Sequence, residues 1–221
     1  TNRLTNQPLE SSMTGGNYSH ILGQALNEVN HEVYLAGRNP EHQGMGTTCT
    51  AAALKGYQLY IAHVGDSRGY ILRSGKLVQI TRDHSWVAEQ VEADNLTPEE
   101  AEVHPYRNVV TRAIGTNQDV QVDTFVKSVS PGDRVLLCSD GLQSVVDDGE
   151  IEATLKTGDV ESVCEALIAL ANANGGPDNI TVVVADIGGP EQSTPNGSVD
   201  SNDAEIQSGQ QPWPGGLLGR A

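Results

Sequence analysis

Three aspartates of this sequence share one kind of setting. Asp66 lies in Gly65-Asp66-Ser67, directly after an apolar run that ends at Val64. Asp140 lies in Ser139-Asp140-Gly141, directly after the uncharged run Val135-Leu136-Leu137-Cys138. Asp178 lies in Gly176-Pro177-Asp178-Asn179, just before a β-branched run at 180–185. Each carboxylate sits beside a glycine or proline that turns the chain, at the lip of a strand stiff enough to fix its position. Converging carboxylates without His or Cys ligands select hard cations, Mg²⁺ or Mn²⁺, over zinc or copper. Such ions lower the pKa of a bound water and stabilise charge on a phosphoryl group. An ordinary alternative stands beside this one: Asp140 before a helical pattern is a natural cap, and Asp66 and Asp178 are natural turn residues. The arrangement of the strands decides between them.

Those strands are legible from periodicity. Ile21, Leu22, Ala25, Leu26, Val29, Val33 and Tyr34 recur at helical spacing, with Ser19 as cap and Gly37 as stop. Residues 45–54, 58–64, 69–72 and 76–80 read as four strands, joined at Lys55-Gly56, at 65–67 and at Ser74-Gly75. Connections that short predict an antiparallel meander. Residues 81–105 switch to two short helices, one opened by His84-Ser85-Trp86 and one by Thr97-Pro98-Glu99-Glu100, a capping box with proline at the first helical position. Strands at 122–126 and 135–138, turned at Pro131-Gly132-Asp133, read as a second β pair. Beyond Gly141 come a single turn at 143–146, a helix capped by Asp147, a helix over 160–173 and the last strand. The fold class is α+β, antiparallel sheets with helices on their outer faces.

Composition narrows the function. A net charge of −16 over 221 residues argues against nucleic acid and anionic membrane as partners and leaves room for cations. Cys49, Cys138 and Cys164 are widely spaced, neither a disulfide framework nor a zinc set, which suits a reducing, cytoplasmic location. No apolar run reaches membrane-spanning length. Residues 1–17 read as a flexible leader, 18–187 as the folded domain and 188–221, rich in Gly, Pro, Ser, Gln and Asn, as a disordered tail or linker. The expected association state is a monomer.

Several ordered motifs together resemble a known family. Gly44-Met45-Gly46-Thr47-Thr48, Ala62-His63-Val64-Gly65-Asp66-Ser67-Arg68, Asp83-His84-Ser85, His104-Pro105, Arg107-Asn108-Val109, the run through Gly141 and the segment 176–183 are similar to the metal-dependent serine/threonine protein phosphatases (the PPM family, protein phosphatase type 2C), especially its bacterial branch. The resemblance implies two antiparallel sheets packed as a sandwich with helices outside, and hydrolysis of phosphoserine and phosphothreonine by a metal-activated water. It implies that Asp140 helps hold the second core metal, that Asp178 closes the two-metal site, and that Asp66 with Asp140 holds a third ion. No catalytic residue beyond these ligands is implied. The resemblance also implies Mn²⁺ or Mg²⁺ as the cofactor and phosphorylated proteins as partners, with a cognate Ser/Thr kinase and its substrates as a further candidate set. Residues 85–107 resemble the flap beside the active site. His63 reads as a structural strand residue, while Arg68, Arg107 and Arg112 are open between phosphate steering and ordinary ion pairing.

One departure limits the resemblance. The family's Arg-x-x-Asn-Glu-Asp and Ala-Asp-Gly-Met-Gly-Gly-His segments, which supply a phosphate-binding arginine and the aspartate bridging the core metals, do not occur in these 221 residues. Gly44-Met45-Gly46 follows Gln43 and matches the later Gly-Met-Gly-Thr-Thr motif instead. Two sandwich strands are expected to be missing, leaving exposed sheet edges. The expectation is a fragment of a phosphatase with impaired activity; the alternative is a catalytically inactive regulatory or binding module.

Overall fold

Alternation along the strands sets the layering. In a computed structural model, which describes residues 18–189, helix α1 (Tyr18–Ala36) precedes strands β1 (Cys49–Lys55), β2 (Gln58–Val64), β3 (Arg68–Arg73) and β4 (Lys76–Gln79). Helices α2 (Trp86–Glu92) and α3 (Pro98–Glu102) follow, then β5 (Asp123–Ser128), β6 (Arg134–Cys138), α4 (Asp140–Gln143), α5 (Asp148–Leu155), α6 (Val160–Ala173) and β7 (Val182–Asp186). The strands form two antiparallel sheets, ordered β1-β2-β5 and β4-β3-β6-β7.

Three apolar layers result. Leu59 and Ile61 of β2 meet Ile71 of β3 and Val135 of β6 between the sheets. The opposite face of β2, Ala62 and Val64, packs with Leu26 and Leu22 of α1. Tyr70, Leu72, Leu136 and Cys138 face Leu142, Ile151, Leu155, Val163 and Leu167 of the C-terminal helices. The α+β sandwich expected from the sequence is the observed fold.

Two strand pairings differ from the sequence reading. Residues 45–80 do not make one meander. The chain leaves the first sheet at Gly65, where φ is +118° and an added Cβ would stand 2.3 Å from Thr48 Cγ2. Only glycine turns so sharply against a neighbouring backbone. Arg68 then pairs with Cys138 in the other sheet. Likewise β5 and β6 are not partners: β5 pairs with β2, and β6 lies between β3 and β7. The turn between them is closed by its own polar groups, with Ser130 N–H donating to Asp133 Oδ2 at 2.8 Å, so a turn signal is present although the flanking strands enter different layers. True hairpins remain at Gly56 and at Ser74-Gly75, where φ is positive.

Smaller shifts also have reasons. The single turn expected at 143–146 begins at Asp140 instead. On α1 the inward face is Leu22, Gly23, Leu26, Asn30 and Val33, whereas Ala25 and Val29 are exposed. Asn30 is buried because its amide serves the 115–118 loop, donating to the carbonyls of Asn117 and Gln118 and accepting Gly115 N–H at 2.8 Å. The cap at Asp147 and the Thr97–Glu100 capping box form as read. Among the described residues β1 and β7 each lack a neighbour on one side, and Leu54 and Val183 on them are about half exposed. No described helix is long and apolar enough to cross a membrane. The leader at 1–17 and all of the tail beyond Gly189 lie outside the described residues.

Candidate functional site

Strands β2 and β6 belong to different sheets but end at the same place. Arg68, the first residue after the 65–67 turn, is in register with Cys138, the last residue of β6. The turn carrying Asp66 therefore lies beside the turn carrying Asp140. Gln143, at the far end of the four-residue helix that Asp140 begins, closes the gap: its Nε2 donates to the Asp66 carbonyl oxygen at 2.8 Å. Nothing in the sequence singled out Gln143; its place three residues after Asp140, on one helical face, was the available signal.

The two carboxylates differ in environment. Asp66 is half-buried and Asp140 exposed. Burial raises the Asp66 carboxyl above the ordinary carboxylate range, and the nearby Asp140 carboxylate raises it further. Asp140 is the first helical residue rather than the cap, which is Ser139, and its side chain has no hydrogen bond or ion pair among the described residues. Two neighbouring carboxylates, one of them uncommitted, form a donor set that suits a hard cation.

Asp178 is not brought into that pair. It is exposed, and its Oδ1 accepts the N–H of Asn179 at 2.7 Å, a turn aspartate's hydrogen bond. Its loop is nevertheless welded to the Asp140 turn. Ser139 Oγ donates to the Asn179 carbonyl at 3.1 Å and accepts Thr181 N–H at 3.0 Å. Among the described residues no three His, Cys, Asp or Glu side chains are grouped closely enough to hold a metal ion.

The sequence matches the family Protein phosphatase 2C over residues 2–180. The chain belongs to the protein phosphatase 2C family. It is 43% identical over 180 residues to the serine/threonine protein phosphatase PstP of Mycobacterium tuberculosis, covering 81% of this chain and 35% of PstP. It thus spans about a third of the length of that relative. The crystal structure of serine/threonine phosphatase Stp1 from Staphylococcus aureus superposes with a TM-score of 0.78 at 39% identity, covering 82% of this chain and 72% of Stp1. The catalytic domain of PstP in complex with two manganese ions superposes with a TM-score of 0.73 at 38% identity, covering 80% of this chain and 75% of that one.

Within this phosphatase 2C domain the Asp66 turn rests on two buried imidazoles, His63 and His84. His63 Nε2 faces the Arg82 carbonyl at 2.9 Å, an acceptor only, so Nε2 carries the proton and Nδ1 accepts from Thr50 Oγ1 at 2.8 Å. His84 Nδ1 accepts the Gly65 N–H at 2.9 Å, so the neutral ring carries its proton on Nε2, which lies 3.1 Å from Asp123 Oδ2 and 3.0 Å from Arg112 Nη1. Burial lowers the pKa of both rings, and for His63 the neighbouring His84 lowers it further. Unfolded, each ring titrates near 6.5. Below that pH the unfolded chain takes up protons that the folded chain refuses, so stability is present above it and is lost as pH falls towards the folded values. Thermal unfolding is expected to move to lower temperature between about pH 7.5 and about pH 5.5, and a midpoint constant over that window would contradict neutral imidazoles.

The arginines of the phosphatase 2C motifs are mostly engaged. Arg68 makes a fork to Asp83, with Nε to Oδ2 at 2.9 Å and Nη2 to Oδ2 at 2.7 Å. Arg112 Nη1 donates to Asp123 Oδ1 at 2.7 Å. Arg107 is exposed and has no side-chain partner among the described residues. Burial pushes the Cys138 thiol up to about 12, far from an activated nucleophile. A cavity of about 420 Å³ opens at the opposite end of β6, lined by Asp133, Arg134 and Asp186 among others. Its Arg134 is paired with Asp186 and opens β6, whereas Asp140 follows the strand's other end.

Gly141 holds the Asp140 and Asp178 loops together by having no side chain. An added Cβ would stand 2.3 Å from the Asn179 carbonyl oxygen, a backbone atom that cannot swing aside. Gly141→Ala is expected to lower stability by roughly 1–3 kcal/mol through overpacking, read as a fall in the unfolding midpoint. An unchanged midpoint would show that the 178–181 loop yields freely.

Proposed function

We propose that the protein is a metal-dependent serine/threonine protein phosphatase, acting on phosphorylated proteins, with Asp66 and Asp140 as cation ligands and with Asp178, whose carboxylate here accepts the Asn179 N–H, as the ligand that the family motif assigns to the adjoining loop. The observation that carries this reading is the Gln143–Asp66 hydrogen bond of 2.8 Å, which ties the turn linking the two sheets to the helix that opens at Asp140. Family membership supports this class of reaction, and the manganese ions in the PstP relative favour Mn²⁺ or Mg²⁺ here. When bound, such a cation supplies an acidified water and electrostatic stabilisation of phosphoryl charge.

The chain's own residues do the positioning. Asp66 and Asp140 offer hard oxygen donors from strand ends that the sheet register fixes. Gln143, Ser139 and Gly141 hold the three acid-bearing segments in place. Burial raises the pKa of the Cys49 and Cys138 thiols, away from the reactive thiolate, in keeping with direct hydrolysis. Three free cysteines fit a reducing, cytoplasmic setting, and a cognate Ser/Thr kinase would share the substrates.

A second reading has its own observation. The bridging Asp-Gly-Met-Gly-Gly-His segment is not among these 221 residues, which favours a regulatory or binding module for the chain as given. A phosphopeptide assay with Mn²⁺ separates the two. The chain alone is expected to give little or no turnover, and joining an N-terminal segment that carries both missing motifs is expected to restore it. Failure of the extended chain would favour the module.

A further inference from the structure

The inner side of the Asp66 turn is held by a side chain to which the phosphatase reading gives no role. His84 is 3% exposed and grips Gly65 twice. Its backbone N–H donates to the Gly65 carbonyl at 2.8 Å, and its ring Nδ1 accepts the Gly65 N–H at 2.9 Å. The pair closes a ring around the residue just before Asp66. The far end of the imidazole lies against an ion pair: Nε2 is 3.1 Å from Asp123 Oδ2 and 3.0 Å from Arg112 Nη1, which itself holds the other oxygen of Asp123 at 2.7 Å. On the remaining sides, a Cβ added at Gly65 would run into Thr48, and Thr48 Oγ1 meets Ser67 Oγ at 2.8 Å.

We propose that His84 is a positioning residue for a divalent cation at Asp66: through the Gly65 amide it fixes the direction in which the Asp66 carboxylate leaves the turn. The proposal rests on the reading of Asp66 as a metal ligand. An imidazole suits the task because one nitrogen accepts a buried amide while the other is packed against the Asp123–Arg112 pair, so its orientation is set from both ends. Partners that orient a ligand in this way typically change metal affinity when removed, even though they never touch the ion.

A merely structural histidine would change stability alone, so metal affinity is the discriminating readout. His84→Asn keeps an acceptor oxygen near the position of Nδ1 but loses the reach to Asp123. His84→Phe keeps the ring and loses both bonds. With Mn²⁺ titrated calorimetrically into the full 221-residue chain, His84→Phe is expected to weaken binding about tenfold or more, and His84→Asn about threefold at most. Wild-type affinity in His84→Phe, or an equal loss in both variants, would overturn the proposal. Asp66→Asn runs in parallel. If it leaves Mn²⁺ affinity unchanged, the ligand reading itself fails; if it weakens binding while His84→Phe does not, only the positioning role fails. Should His84→Phe not fold, nitrogen-15 NMR of the wild type decides: an unprotonated Nδ1 and a slowly exchanging Gly65 amide are expected, and a protonated Nδ1 or a freely exchanging amide would refute the role.

Discussion

Arg68→Ala is expected to destabilise the domain by about 3–5 kcal/mol. Arg68 opens β3 and turns inward, its fork on Asp83 complemented by Nη1 donating to Tyr70 Oη at 3.1 Å. Asp83 is only 12% exposed in its side chain and also takes Gln79 Nε2 at 2.9 Å. Truncating the arginine leaves that carboxylate buried with a single neutral donor, and it is the uncompensated charge, more than the lost attraction, that destabilises. The pair as a whole is worth much less than this loss. Arg68→Met combined with Asp83→Leu is therefore expected to recover most of the stability, with a coupling of a few kcal/mol in the double-mutant cycle. Urea unfolding measures all four corners. A single-variant loss below about 1 kcal/mol would place the pair with ordinary surface bridges, and would return Arg68 to the alternative of phosphate steering.

Asp140→Asn is expected to have the largest effect on turnover. In the chain extended by the missing motifs, the change removes one charge and one hard donor from the proposed cation site and alters little else, since Asp140 is exposed and unpaired among the described residues. A metal acting as Lewis acid supplies several kcal/mol of transition-state stabilisation. Its displacement should lower kcat/KM on a phosphopeptide on the order of 10³-fold, at about 1.4 kcal/mol per tenfold. Steady-state assays at saturating Mn²⁺ check this; activity within about tenfold of the parent would remove Asp140 from the site.

The sequence was most informative where physics is local. Helix α6, the 147 and 97 caps and the two real hairpins follow from spacing and side-chain chemistry within a few residues. What it hid was which sheet each strand enters. Gly65-Asp66-Ser67 has the composition of a tight turn, yet it carries the chain between layers, because the close approach of Thr48 to Gly65 is a long-range fact. The site divides in the same way. Asp66 and Asp140 are each visible as acids at strand ends, but their adjacency depends on the Arg68–Cys138 register. Gln143, His84 and Asn30 were opaque, since a polar residue on a helix or in a loop shows no sign of the distant amide or carbonyl it satisfies. Asp178 shows the opposite limit: a motif match placed it with the other two, while its carboxylate is engaged with Asn179 in its own turn.

That Asp66 and Asp140 share one hard cation site is the claim on which the rest depends. Calorimetric titration of Mn²⁺ into the unextended chain tests it directly, with Asp66→Asn and Asp140→Asn alongside. One binding event is expected in the wild type, weakened about tenfold or more by either substitution. Equal Mn²⁺ binding by the wild type and both variants would contradict the account.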